Sequence, residues 1–350
     1  MNLPTRGSVA FFVALIRKKH SPSHHIRAAA KAPDRPRRSH LRFPAARSLL
    51  EDMNMTFFKD LDTIMKQDFG NRGLLKALPD NPIRETLETL STARRVILLT
   101  GFPVRLEDGT YVGETDGPLG IADIAAALTA LGVSVLVITD EPAFSIVSDV
   151  VCYRAPKAKL MMLPKTDTED FIRSCIKNFS PTHFISLERP GKAANGHYHS
   201  MRGEVLDDMI TDSALFLSEA KKAGAVTISV GDGGNEMGMG TYRNVIETFV
   251  PFGDKICTAE AADLTLASGV SNWWGIGIAA LCSLLAEKSL LPTRAEETES
   301  LRLAVAAGSV DGCTRKNEMT VDRLDLEAHL GILDSVDEIL KKELGLCAIA

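Results

Sequence analysis

The sequence predicts an α/β protein with a doubly wound, mainly parallel sheet and helices on both faces, a Rossmann-like three-layer arrangement. The first observation behind this prediction is that short continuous apolar runs alternate with longer segments of helical periodicity. The second is the run Ala225–Val230, which leads directly into the glycine-rich loop Gly231–Gly240. Parallel strands buried on both faces read as continuous apolar runs, and their carboxyl ends border the ligand crevice of an open sheet.

The strands are predicted from their apolar runs and from the turn residues that end them. A hairpin is expected at residues 104–112, because Asp108-Gly109 is a favoured two-residue turn. The other strands are expected at residues 95–100, 133–139, 159–163, 182–187, 225–230 and 263–266.

The helices are predicted from their first and last residues. Pro118 suits the first position of a helix that Gly132 closes, and Gly224 follows the end of a long helix at 204–223. Residues 56–93 are expected to be helical, with breaks around Gly70–Gly73 and at Pro79 and Pro82. Further helices are expected at residues 168–178, 273–288, 294–306 and 323–343.

The amino-terminal residues differ from the rest in charge. Residues 1–50 hold eleven basic residues and one acidic residue, a balance of +10, and the remaining 29 basic and 44 acidic residues give −15. The apolar run Val9–Ile16 is followed by Arg17-Lys18-Lys19, a pattern typical of organelle transit segments. We predict a basic, disordered leader at 1–54, a single domain at 55–350 and a mitochondrial matrix location. The alternative is a leader that carries no targeting signal, in a cytoplasmic protein.

The composition argues against several classes of partner. An acidic body does not favour nucleic acid, and the apolar run at residues 275–286 is too short to span a bilayer. The six cysteines include no C-x-x-C pair and so suggest neither a zinc site nor a disulfide framework. A small molecule is the expected partner, with a homo-oligomer as a further expectation.

The loop at residues 231–240 is the first candidate site. Asp232, Asn235 and Glu236 lie among glycines after a strand, and Gly233 and Gly234 would let the backbone approach a ligand. An alternative is a tight turn in which Asp232 or Asn235 caps the next helix. The loop lacks the dinucleotide fingerprint because Glu236 stands where its third glycine belongs, and no P-loop is present, so no nucleotide is expected.

Two other loops also carry unusual chemistry. Asp116 and Gly117 precede the helix that Pro118 opens, where Asp116 either caps the helix or lies beside a bound anion. The loop at residues 188–203 holds Arg189, Lys192 and Arg202, which could bind carboxylates. The same loop holds His197, for which a proton-transfer role and a structural role both stay open.

Five motifs resemble the C-terminal domain of the D-glutamate cyclase family. They are Leu99-Thr-Gly-Phe-Pro103, Glu114-Thr-Asp-Gly-Pro-Leu-Gly120, Glu188-Arg-Pro-Gly191, the loop at 231–240 and Val310-Asp-Gly312. The resemblance covers about residues 56–345. It implies a lyase of D-amino acid metabolism that converts D-glutamate to 5-oxo-D-proline and water in the mitochondrial matrix. It also implies a divalent cation, Mn²⁺ or Mg²⁺. The family's hydro-lyase-like N-terminal domain has no counterpart here, so the alternative is a related, non-catalytic small-acid-binding domain.

The residues suggest roles in such a cyclisation of a small dicarboxylic amino acid. Asp232 or Glu236 could take a proton from the substrate ammonium or hold a metal, and His197 could protonate the departing oxygen. Arg189 and Lys192 could neutralise the γ-carboxylate. Arg202, or the helix end at Asp116 and Gly117, could bind the α-carboxylate, with Gly233, Gly234 and Asn235 beside the substrate.

Overall fold

The computed structural model describes residues 55–346, and the predicted leader lies outside these residues. A six-stranded parallel sheet forms the centre of the fold. Its strands are β1 (Arg95–Leu99), β4 (Ser134–Thr139), β5 (Lys159–Met162), β6 (His183–Leu187), β7 (Val226–Gly231) and β8 (Leu264–Ala267). Two short antiparallel pairs lie outside it, β2 (Pro103–Arg105) with β3 (Tyr111–Gly113), and β9 (Thr320–Val321) with β10 (Leu324–Asp325).

Helices cover both faces of the sheet. They are α1 (Met55–Met65), α2 (Ile83–Leu90), α3 (Pro118–Ala130), α4 (Glu141–Arg154), α5 (Thr168–Phe179), α6 (Leu215–Lys222), α7 (Arg243–Phe249), α8 (Gly253–Ile256), α9 (Trp273–Ala286), α10 (Arg294–Ala306) and α11 (Leu326–Glu343). Two 3₁₀ turns, at Leu74–Lys76 and Gly240–Tyr242, complete the described elements.

Alternation along the strands divides the core between the two faces. Val96 and Leu98 of β1 pack into the larger core, with α1 to α4 and α9 to α11. Ile97 and Leu99 point to the opposite face and pack against α5 and α6. Successive side chains of a strand point to opposite faces, so the continuous apolar runs are explained by burial on both sides. The predicted doubly wound, three-layer α/β fold is confirmed.

The strand order places a crevice at one edge of the sheet. The spatial order is β5-β4-β1-β6-β7-β8. The chain leaves the central strand β1 for β4 and β5 on one side and then returns to build β6, β7 and β8 on the other. The carboxyl ends of β1 and β6 therefore flank a topological switch point, where open α/β sheets bind their ligands.

The predicted helix at residues 204–223 is wrong over its first half, because only Leu215–Lys222 is helical. Aspartate side chains in the preceding stretch bind backbone N–H groups, both in the neighbouring loop and within the predicted helix. Asp207 Oδ1 accepts from Tyr198 N at 2.9 Å, and Asp212 Oδ1 accepts from Ala214 N at 3.1 Å. Such local bonds compete with helix formation. The sequence reading also missed α4, whose bounds are Glu141–Arg154.

The remaining predictions agree closely with the structure. The predicted strands are observed with their ends shifted by one or two residues. The predicted hairpin is also present, but it does not have the expected two-residue turn at Asp108-Gly109. Leu106 N donates to Thr110 O at 2.8 Å and Gly109 N donates to Leu106 O at 3.1 Å, so the loop has three residues, 107–109, and Gly109 takes a φ of 85°. The last helix begins at Leu326 rather than at 323, because β9 and β10 form a small hairpin before it. Within residues 55–346, none of the helices has both the length and the apolar character needed to span a bilayer.

Candidate active site

A cleft of about 170 Å³ opens at the carboxyl edge of the sheet. Loops that follow β1, β3, β6 and β7 contribute to its walls, as the switch point requires. Its acidic lining residues are Glu114, Glu188, Glu204, Asp232, Glu236 and Asp322, and its basic lining residues are Arg72, Arg105, Arg202 and Arg315. The cleft therefore combines a concentration of carboxylates with several arginines.

Three carboxylates form what we call the acidic cluster: Asp116, Glu188 and Asp232. One oxygen from each lies within 4.8 Å of the others. The three residues are 2%, 5% and 4% exposed. Burial, followed by the charge of Asp322, raises the pKa of Asp116 to about 7. Burial also raises the pKa values of Glu188 and Asp232 well above the usual carboxyl range. Desolvation disfavours the charged form, so this cluster needs protons or a cation.

Asp116 is positioned by reciprocal capping of two helices. Its carboxylate accepts the N–H groups of Ser271 and Asn272, at 3.0 and 2.8 Å, just before α9 begins. In return, the Asn272 side chain accepts from Gly117 N and Gly120 N, both at 2.8 Å, at the start of α3. The predicted capping role of Asp116 is thus fulfilled on α9 rather than on α3. Both helix N-termini, with their partial positive charge, consequently point toward the acidic cluster.

Glu188 ends β6 in an unusual conformation. Its φ of 45° lies in the left-handed region that non-glycine residues rarely adopt, and Ser271 Oγ donates to its Oε2 at 2.5 Å. Gly117 makes room beside it, because a Cβ at that position would lie 2.7 Å from Thr100 Oγ1 and 3.2 Å from Glu188 Cβ. Backbone strain of this kind is found where a side chain must be aimed at a ligand.

The loop after β7 is organised by Glu236. Its carboxylate accepts the backbone N–H groups of Asp232, Gly233 and Gly234, at 3.1, 2.7 and 2.7 Å. Gly234 has a φ of 101°, as the sequence predicted for one of the two glycines. Glu236 therefore shapes the loop, and its oxygens are already engaged. Asp232 is left to face the cleft and the acidic cluster.

Asn235 contributes an unsatisfied oxygen to the same cleft. The residue is 1% exposed, and its amide nitrogen donates to His199 O at 2.8 Å. Its Oδ1 is buried without a hydrogen-bond partner. Because a buried, unpaired carbonyl oxygen is costly, the arrangement suits a ligand that supplies a donor or a cation.

Comparison with known proteins shows the family of the chain. The model of a family described as D-glutamate cyclase-like, C-terminal, matches residues 61–337. The chain belongs to this family. D-glutamate cyclase, mitochondrial, of Homo sapiens is 32% identical over 289 residues, which are 79% of this chain and 46% of the human protein. This D-glutamate cyclase-like chain thus spans about half the length of that relative.

Two solved structures show a distant similarity to the chain. A protein described as a HAD superfamily (subfamily III A) hydrolase, from Legionella pneumophila, is 14% identical and has a TM-score of 0.32, covering 64% of this chain and 94% of its own. The 3-deoxy-D-manno-octulosonate 8-phosphate phosphatase of Moraxella catarrhalis is 12% identical and has a TM-score of 0.28, covering 56% of this chain and 91% of its own. The description of the cyclase-like fold rests on its own strand order.

Three residues predicted for the site of this cyclase-like chain lie away from the cleft, and their side chains bind residues outside it. Arg189 is fully buried, and its guanidinium binds Asp140 at 2.8 Å and the carbonyl oxygens of Gly101 and Thr211. Lys192 lies in a separate groove and pairs with Asp212. His197 is exposed and pairs with Asp207 at 2.6 Å. The structure brings the other predicted residues to the cleft or the loops that build it: Asp116, Gly117, Arg202, Asp232, Gly233, Gly234, Asn235 and Glu236.

Seven charged residues of the cleft were not predicted as site residues, and four of them matter for the chemistry of the site. Glu188 and Glu114 belong to the motifs quoted in the sequence analysis. Glu188 could have been predicted as a site residue, because it follows the carboxyl end of a strand next to β1. Arg72 and Asp322 had no such signal. Arg72 contacts Asp232, and its Nη2 lies 2.6 Å from Asp322 Oδ2, although 160 residues separate Arg72 from Asp232. Asp322 also has a left-handed φ of 53°. Only the tertiary fold brings these residues together.

The donor set of the acidic cluster fits a hard divalent cation. Asp116, Glu188 and Asp232 offer carboxylate oxygens, and the Asn235 carbonyl oxygen lines the same cleft. Mg²⁺ and Mn²⁺ prefer oxygen ligands of this kind. These are the residues that could hold a cation in the cyclase-like site.

Proposed function

We propose that this chain is a D-glutamate cyclase-like lyase that converts D-glutamate to 5-oxo-D-proline and water. The observation that supports the proposal is the cleft at the topological switch point, where the acidic cluster lies near several arginines. The chain that holds this cleft belongs to the cyclase-like family. D-glutamate has two carboxylates and one ammonium group. Acidic and basic side chains in one cleft can bind both kinds of group.

The reaction sets the requirements that the residues must meet. The α-nitrogen forms a bond to Cδ, and one Cδ–O bond breaks, so that the γ-carboxylate oxygen leaves as water. The ammonium group has three protons and the lactam nitrogen keeps one, so the two released protons leave with that oxygen. The site must therefore take a proton from nitrogen and return it to oxygen.

Glu114 is the residue that we assign to proton transfer. It lines the cleft, is 7% exposed and lies outside the acidic cluster. Burial, followed by the charges of Asp322 and Asp116, raises its pKa well above the usual range. A carboxyl group with a raised pKa binds a proton more readily than an ordinary carboxyl group does. In its ionised form Glu114 can thus accept the ammonium proton and then give it to the departing oxygen.

Arg202 is the residue that we assign to the α-carboxylate. Its Nη2 donates to Cys313 O at 3.0 Å, and within residues 55–346 no acidic side chain forms an ion pair with it. Two other arginines of the cleft are already paired, Arg105 with Asp208 at 2.7 Å and Arg315 with Glu204 at 3.2 Å. Arg202 is therefore available to bind a carboxylate through its planar fork.

Asp116, Glu188 and Asp232 would hold the divalent cation. When bound, such a cation supplies Lewis-acid polarisation of a carboxylate oxygen. The chain's own contribution is to hold these three oxygens close together, with two helix N-termini behind them. The proposed location is the mitochondrial matrix, supported by the mitochondrial assignment of the human relative and by the basic leader.

The test is turnover by the purified full chain. D-glutamate is incubated with the protein and Mn²⁺ or Mg²⁺, and 5-oxoproline is resolved by chiral chromatography. We expect 5-oxo-D-proline from D-glutamate, much less product from L-glutamate, and loss of product when EDTA is added. Binding of D-glutamate in a calorimeter without any product would contradict the proposal and favour the alternative, a non-catalytic small-acid-binding domain.

A further inference from the structure

Arg72 reaches the acidic cluster from outside the sheet. It lies on the segment between α1 and the 3₁₀ turn at Leu74–Lys76, in which residues 68–71 are exposed. Its Nη1 contacts Asp232 Oδ1, and its Nη2 lies 2.6 Å from Asp322 Oδ2. One guanidinium thus joins an exposed loop to a carboxylate of the cluster and to a second carboxylate beside it.

This contact is the cluster's own source of positive charge. Within residues 55–346, Arg72 is the one basic side chain in ion-pair contact with a member of the acidic cluster. The side chain of Asp232 is 3% exposed, so its charge is poorly compensated by water. The guanidinium therefore supplies charge compensation that a bound divalent cation would otherwise supply.

An unpaired oxygen of Asn235 is a second observation that points to a ligand in the same cleft. The Oδ1 of Asn235, a residue that is 1% exposed, has no hydrogen-bond partner. The Arg72 guanidinium makes no hydrogen bond to it, although both residues line the cleft. Arg72 therefore satisfies Asp232 and leaves the Asn235 oxygen without a donor, which a ligand bound in this cleft would supply.

We propose that the Arg72 guanidinium and a divalent cation compete for Asp232. This inference rests on the cation site of the proposed function. In the metal-free protein Arg72 neutralises Asp232. When the cation binds, Arg72 gives up Asp232 and keeps its ion pair with Asp322, which lies outside the cluster. Arg72 is thus a positioning residue that sets how tightly the site binds its cation.

If Arg72 and the cation compete, an Arg72→Gln variant should have lower stability without metal but higher affinity for the cation. Without metal, the variant should be less stable than the wild type, because it leaves two largely buried carboxylates without their cationic partner. With metal, it should bind the cation more tightly, because nothing has to be displaced. A guanidinium that merely supports the loop would lower stability and cation affinity together.

The experiment measures Mn²⁺ binding directly by the loss of the free Mn²⁺ signal in electron paramagnetic resonance, on the full chain freed of metal by chelation. Arg105→Gln is the matched control, because it removes the same charge from the same cleft but frees only the exposed Asp208. We expect Arg72→Gln to lower the Kd for Mn²⁺ about tenfold, equivalent to about 1.4 kcal/mol. Arg105→Gln should change the Kd by less than about threefold, since an exposed charge acts weakly at a distance.

Thermal melting provides the second readout. The Tm of Arg72→Gln should lie below that of the wild type in EDTA, and the difference should shrink at saturating Mn²⁺. Arg72→Lys keeps the positive charge but loses the planar guanidinium group, so it should bind Mn²⁺ with an intermediate Kd. This variant replaces Arg72→Gln in the test if Arg72→Gln does not fold without metal.

Several results would overturn the inference. One is unchanged or weaker Mn²⁺ binding by Arg72→Gln, and another is equal tightening by Arg105→Gln. Absence of Mn²⁺ binding to the wild type and to both Arg72 variants would also overturn it. In that case, formation of 5-oxo-D-proline in the presence of EDTA would show that the cyclase proposal survives without the cation site.

Discussion

At the scale of single residues, three acids of one cleft have three different surroundings. Glu236 accepts three backbone N–H groups, Asp232 contacts Arg72, and Glu114 is buried with a pKa raised well above the usual range. Sequence reasoning placed Asp232 and Glu236 in the same cleft, because a strand end with glycines marks a ligand loop. It could not separate their roles, since hydrogen-bond partners are set by the folded loop.

Replacing Glu236 should act on stability. Glu236→Gln keeps the shape but turns one acceptor oxygen into an NH₂ group that faces backbone donors. We expect a loss of about 2 kcal/mol or more in the free energy of unfolding, together with weaker Mn²⁺ binding. Urea denaturation measures the loss. A variant as stable as the wild type but without turnover would instead support the catalytic role that the sequence suggested for Glu236.

Replacing Glu114 and Asp232 should separate proton transfer from cation binding. Glu114→Gln should lose about 100-fold or more in kcat, because proton transfer by a positioned group is worth that much, while its Kd for Mn²⁺ changes little. Asp232→Asn should lose Mn²⁺ binding as well as turnover. Turnover rates and Mn²⁺ titrations of the two variants check this. If Glu114→Gln kept its kcat within about threefold, Asp232 would become the leading candidate for the base.

At the scale of elements, the cleft depends on two helices that cap each other. Asn272 bonds the N-terminus of α3 through Gly117 and Gly120, and Asp116 bonds the N-terminus of α9. The glycines allow this close packing, because a Cβ on Gly275 would lie 2.3 Å from Gly120 Cα. The sequence predicted both helices, but not that they share their caps, because that depends on residues 155 positions apart.

Loss of this shared cap should affect the site as well as the fold. Asn272→Ala removes the acceptor of Gly120 N and the donor to Thr115 O, which should cost about 2 kcal/mol of stability and displace Asp116, thereby weakening Mn²⁺ binding. Thr293→Ala is the matched control, because it removes a capping box from α10 and should cost about 1 kcal/mol. Equal Mn²⁺ affinity in both variants would mean that the cap does not position the acidic cluster.

At the scale of the whole molecule, the positions of the strands were the part of the structure that sequence patterns predicted best. Continuous apolar runs and turn residues located all six strands of the parallel sheet. The loop from residue 204 to 214 was misread as helix, because its aspartates bond backbone groups that periodicity does not reveal. Arg72 escaped prediction for a related reason, since its partners are distant in sequence.

The basic leader lies outside the described residues and gives a prediction for the intact protein. Its balance of +10 and its apolar run predict import into mitochondria. A fluorescent protein fused behind residues 1–54 should therefore enter the organelle, and a fusion in which the arginines of that segment are replaced by glutamine should not. Equal cytosolic fluorescence from both fusions would contradict the prediction that the leader directs import into mitochondria.

The most direct test of the central claim is a crystal structure of the full chain with Mn²⁺ and D-glutamate, measured with anomalous diffraction from manganese. The account predicts a manganese peak bounded by Asp116, Glu188 and Asp232, with the amino acid in the same cleft and its α-carboxylate on Arg202. A manganese peak away from the acidic cluster, or D-glutamate bound in the groove beside Lys192 and Asp212, would contradict it.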